Sequence, residues 1–111
     1  MELFAGLPVR DFAAARPWYE RLLGGPPAFL PHETEAVWEV AEHRYVYIVE
    51  DAQRAGGGLV TLIVEDLDER LAAIAARGLE PALDETYDNG TRKVTFRDPE
   101  GNELGLGGLP A

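Results

Sequence analysis

The only two histidines of this chain lie in His32-Glu33-Thr34-Glu35 and Glu42-His43, so an imidazole metal site or proton relay would have to be built from these stretches. Both are polar segments between apolar runs, where solvated His and Glu are ordinary, and they are expected to be surface turns and not ligands. The chain has no cysteine, which excludes thiolate metal sites, disulfides and a cysteine nucleophile. Lys93, the sole lysine, shares a strand with the hydroxyls of Thr91 and Thr95 and shows no nucleophile arrangement with a histidine. The other chemistry on offer is contact with flat rings. Trp38, Tyr45, Tyr47 and Phe96 can stack on a heterocycle or attract a cation through their π faces.

The elements that would carry these residues are written twice. Leu7-Pro8-Val9-Arg10-Asp11 ends an apolar stretch and is followed by an Ala-rich helical pattern to Gly24, and Leu62-Ile63-Val64-Glu65-Asp66 repeats this 55 positions later, with a helix to Arg77-Gly78. Alternation in the opening strands puts Ala5, Leu7 and Val9, and likewise Val60, Leu62 and Val64, on the helix side. Asp11 and Asp66 stand where N-caps belong, and Asp66 with Glu69 makes a capping-box pattern. Phe12, Ala15, Trp18, Tyr19, Leu22 and Leu23 recur at helical spacing as a core stripe, matched by Leu67, Leu71, Ile74 and Ala75. Pro17 is expected to make the first helix begin loosely.

After each helix come three strand candidates, near Pro27-Leu30, Glu35-Val40 and Arg44-Val49, then near Glu80-Leu83, Thr91-Arg97 and Glu103-Leu106. Asn89-Gly90 and Asp98-Pro99-Glu100-Gly101-Asn102 supply turns. Residues 51–58 are polar and Gly-rich and read as a linker between units at 1–50 and 59–111, all within one domain of 111 residues. The fold class is therefore α+β with two βαβββ repeats. A formal net charge of -10 argues against nucleic acid and permits cationic ligands. No run is long enough to span a membrane and the start lacks a signal-peptide pattern, so a cytoplasmic protein without a membrane partner is expected.

The Val-Arg-Asp opening, Trp18-Tyr19 and Leu23-Gly24, the closing Arg97-Asp98-Pro99-Glu100-Gly101-Asn102 and the repeat together resemble the vicinal oxygen chelate superfamily, which includes glyoxalases, extradiol dioxygenases and bleomycin-resistance proteins. The resemblance implies curved mixed sheets around a ligand cavity, commonly across a homodimer. It also implies a divalent metal held at the start of the first strand of each unit and near the end of the last. Counting seven back from Asp11 and Asp66 gives Phe4 and Leu59, and four forward from Gly101 gives Gly105, none of which can ligate through its side chain. The remaining position falls where the chain offers Tyr45 and Tyr47. No metal, cofactor or catalytic residue is therefore expected.

The expected ligand-facing residues are Phe4, Trp38, Tyr45, Tyr47, Leu59, Ile63, Phe96 and Glu103. Glu103 shares parity with Gly105, where burial could raise its pKa, although a rim position directly after a turn is the plainer reading. A one-residue shift would turn Trp38, Tyr45 and Tyr47 to the other face, so their orientation stays open. The resulting expectation is a metal-free protein that sequesters an aromatic or cationic metabolite or antibiotic in the manner of bleomycin-resistance proteins. The alternatives are a metal-dependent lyase, isomerase or dioxygenase, and an accessory subunit with a closed cavity.

Overall fold

The computed structural model describes residues 1–110. Its elements run β1 (Leu3–Val9), α1 (Phe12–Leu23), β2 (Phe29–His32), β3 (Glu35–Ala41), β4 (Arg44–Glu50), β5 (Leu59–Ile63), α2 (Leu67–Ala76), β6 (Leu83–Thr86), β7 (Arg92–Arg97) and β8 (Glu103–Gly108). They form two four-stranded sheets, ordered β1-β4-β3-β2 and β5-β8-β7-β6. In each sheet the first strand pairs parallel with the last, and the other pairs are antiparallel. The α+β class and the two βαβββ units are thus as the sequence indicates.

Asp11 caps α1, accepting from the Ala14 backbone N–H at 3.1 Å, and Gly24 ends it in the left-handed conformation at φ 93°. The helix does not begin loosely: the Ala15 N–H already donates to Asp11 O at 3.0 Å, and Pro17 lies within a continuous helix. Proline removes only the donor that would meet Ala13 O, and Ala13 is on the exposed side where water can take that carbonyl. The capping box at α2 does not form. The Asp66 carboxylate makes no cap and is held instead by Arg70 at 2.6 Å, which keeps it below the usual carboxylate pKa range. Ala75 is exposed, so the buried stripe of α2 rests on Leu67, Leu71 and Ile74.

Two strands start later than the sequence suggests, β2 at Phe29 and β6 at Leu83, each a few residues past prolines that cannot donate to a ladder. The hairpin between β6 and β7 turns at Asn89-Gly90, with Gly90 at φ 88°. Both helices lie on the same side of the strands that alternate toward them, and one apolar cluster spans the two units, from Leu7, Tyr19 and Val46 to Ile74, Val94 and Leu104. The helix-bearing faces thus share a core.

Candidate functional site

Pairing register decides which side chains lie opposite the helices. Phe4 pairs with Tyr45, Gly6 with Tyr47 and Val37 with Tyr47, so these residues share a face, while Ala5, Val46, Trp38 and Ile48 share the helix side. In the second sheet Leu59 pairs with Glu103, Thr61 with Gly105, Ile63 with Gly107 and Lys93 with Gly107, which places them all opposite α2. Six of the eight expected residues, Phe4, Tyr45, Tyr47, Leu59, Ile63 and Glu103, therefore lie on the helix-free faces. Trp38 and Phe96 do not. They are 4% and 1% exposed on the helix side, and the Trp38 indole N–H donates to Gly25 O at 2.9 Å. Both rings are core because their neighbours in the ladder, Val46 and Leu104, are core residues.

The first sheet presents a wall of rings. Phe4 and Tyr45 stack at 4.4 Å between centroids with 12° between planes, and Phe29 meets Tyr45 edge-on at 6.5 Å. Phe29, which lies inside an expected strand, joins this face through its pairing with Val37, a register that the sequence does not specify. Tyr47 lies flat over Gly6, where any Cβ would collide with its ring. Partial loss of solvent, then the carboxylates of Glu39 and Glu2, raise the Tyr45 phenol above its ordinary pKa. This wall is apolar at its centre and acidic at one margin.

The second sheet presents a sparser wall. The stem of Lys93 crosses Gly105, its Cε only 2.6 Å from where a Cβ would stand, and Ile63 covers Gly107 in the same way. Glu103 faces this side too, but Arg97 holds its carboxylate at 2.7 Å, so it is a half-exposed ion pair at the rim and not a buried acid. Thr95, buried, shares the face with Lys93.

The donors needed for a divalent metal do not converge on either face. Phe4 and Leu59 offer hydrocarbon, Gly105 offers none, and the stacked Tyr45 ring fills the space beside Phe4. His32 is paired with Glu35 at 3.0 Å, and His43, at φ 60° in the β3–β4 turn, lies between Glu2 and Glu42. Among the described residues no group of three or more His, Cys, Asp or Glu is placed to hold a metal ion. The residues present do not fit the metal that the resemblance implies.

The closing turn has a different task. Asp98 accepts from the Tyr19 hydroxyl at 2.8 Å and from Asn102 Nδ2 at 2.9 Å, and its Oδ1 takes the N–H groups of Glu100 and Asn102. Asn102 also donates to Pro8 O at 2.7 Å and accepts from Gly58 N–H at 2.8 Å, while Glu100 receives the Arg10 and Asp11 N–H groups. The turn of the second unit thereby fastens the strand-to-helix corner of the first. A cavity of about 1140 Å³ is a cleft between the units lined by Ala5, Leu22, Trp38, Val60, Leu62 and Ile74. Its lining mixes helix-side apolar residues with charged ones such as Arg44, Glu69 and Arg77; Tyr45, Thr61 and Ile63 border it from the helix-free faces, and Phe4, Tyr47 and Leu59 are not among its lining.

A family model described as glyoxalase/bleomycin resistance protein/dioxygenase superfamily matches residues 3–106. The chain belongs to this superfamily. A crystal structure of a glyoxalase/bleomycin resistance protein from Catenulispora acidiphila DSM 44928 is 55% identical, with 99% of each chain covered and a TM-score of 0.95. A lactoylglutathione lyase from Agrobacterium tumefaciens is 18% identical over 97% of this chain and 92% of its own, with a TM-score of 0.76. A bleomycin-binding protein complexed with bleomycin is 21% identical over 97% and 96%, with a TM-score of 0.73. At such identities the last two establish a shared fold alone. No curated protein sequence matches the chain.

Proposed function

We propose that this member of the superfamily is a metal-independent binder of a flat aromatic molecule, acting by sequestration. The observation that carries the reading is the stacked Phe4–Tyr45 pair, which puts two rings where the family's chemistry requires metal-binding side chains. Rings of this size supply contact area at little entropic cost and fit planar ligands. The net charge of -10 and the carboxylates of Glu2 and Glu39 beside Tyr45 favour a cationic group at that margin.

A second copy of the chain completes the site in this reading. Leu59 is 78% exposed, Ile63 54%, Phe4 45% and Phe29 45%, so each helix-free face leaves large apolar side chains uncovered within one chain. Packing the ring wall of one protomer against the second sheet of its partner would cover both and enclose a ligand between them.

The test is titration with the neutral fluorophore N-phenyl-1-naphthylamine, with and without a chelator, on wild type and on Y47A. Saturable binding that the chelator leaves unchanged and Y47A weakens about tenfold supports the reading. Absence of binding, or binding that the chelator abolishes, overturns it.

A further inference from the structure

We propose that Lys93 recognises an acidic substituent, such as a carboxylate, sulfonate or phenolate, on the aromatic molecule bound at this site. The inference rests on the ring-wall reading above and adds the chemical class of the ligand's second end.

Lys93 is the only lysine in the chain, and register puts it on the helix-free face with Thr61, Thr95 and Gly105. Its side chain does not stand into solvent. It lies along the sheet from β7 across β8, with Cε 2.6 Å from the point where a residue-105 Cβ would be, and Thr61 Oγ1 lies 3.5 Å from that same point. Glycine at 105 is what lets the stem lie down, and the ammonium is thereby carried toward the first strand of the unit.

The cations around it are already neutralised. Arg92 is bound by Asp84 at 2.7 Å and by Asp68 at 3.2 Å, and Arg97 by Glu103 at 2.7 Å. Lys93 has no ion-pair partner among the described residues, although Glu85 is opposite it in the β6–β7 register. In a chain with 20 acidic side chains and 10 Lys and Arg, a partly buried lysine without an ion-pair carboxylate is a group whose partner is missing. An ammonium bonded to an anionic oxygen is among the stronger hydrogen bonds. The Thr61 hydroxyl, which borders the same point, can donate to the same oxygens.

The experiment compares 8-anilinonaphthalene-1-sulfonate with N-phenyl-1-naphthylamine, which share an anilinonaphthalene skeleton and differ by the sulfonate. Lys93→Gln is expected to weaken the sulfonate about tenfold and leave the neutral dye within about twofold, and Lys93→Arg to recover most of the loss. An unchanged ratio, or equal weakening of both dyes, overturns the assignment of Lys93 while leaving the ring wall in place. Failure of both dyes to bind wild type overturns the ring-wall reading and this inference together. A second measurement avoids substitution. Reductive dimethylation with carbon-13 labels one side chain, Lys93, besides the N-terminal amine, and the Lys93 methyl resonance is expected to move with the sulfonate bound and stay put with the neutral dye; no movement with bound sulfonate counts against the proposal.

Discussion

At the scale of single residues, the strongest polar commitment is the buried set of Tyr19, Asp98 and Asn102. Tyr19 is fully buried, and its burial, followed by the adjacent Asp98 carboxylate, pushes the phenol well above its ordinary pKa. Tyr19→Phe leaves Asp98 one donor short and is expected to lower stability by about 1–3 kcal/mol in urea unfolding. The pH dependence has a definite sign. The folded pKa exceeds the unfolded one, so the contribution is complete below pH about 10 and is lost as the unfolded phenol ionises above it. Wild-type stability should therefore fall at alkaline pH more steeply than that of Tyr19→Phe, and spectrophotometric titration should find one refractory tyrosine.

At the scale of elements, two devices fix the helix-free faces and the corner beside them. Gly6 admits the Tyr47 ring onto the strand, and Gly6→Ala should lift that ring. The expected result is about a fivefold loss of affinity for a neutral aromatic dye with a melting temperature close to wild type, because the affected face is outside the core; a large drop in melting temperature would show that the ring position is part of the fold. The other device is the turn from Asp98 to Asn102. Asn102→Ala removes the bonds to Pro8 O, to Gly58 N–H and to Asp98, and is expected to cost about 2–4 kcal/mol by chemical denaturation. Loss of under about 1 kcal/mol would mean that the two units are held mainly by the apolar cluster.

At the scale of the molecule, the two units share a core on their helix sides and leave the opposite faces bare. Light scattering is expected to give about twice the chain's 12.2 kDa, and Leu59→Asp, which places a charge on the second sheet's bare face, is expected to shift the mass toward one chain and remove dye binding in parallel. A monomeric wild type that binds dye with full affinity would remove the partner from the site. No helix among the described residues is long and apolar enough to cross a membrane.

Local rules determined much of this protein. The repeat, the Asp11 cap, the Gly24 stop, the Asn89-Gly90 hairpin and the parity of Phe4, Leu59 and Ile63 all follow from short-range geometry, which the sequence alone carries. The loss of donor side chains at Phe4, Leu59 and Gly105 was equally legible, because it depends on residue type alone. The rest needed the assembled sheets. Trp38 and Phe96 have the same composition as a binding wall, and only their pairing with Val46 and Leu104 turned them into the core. Asp66 chose Arg70 over the helix N-terminus, a competition between two satisfactory partners that spacing does not decide. Lys93 acquired meaning only when Gly105, on the neighbouring strand, let its stem lie across the face and when each nearby arginine proved to be already paired. Contacts between strands depend on register and on what every other charge has found, and those are properties of the tertiary structure.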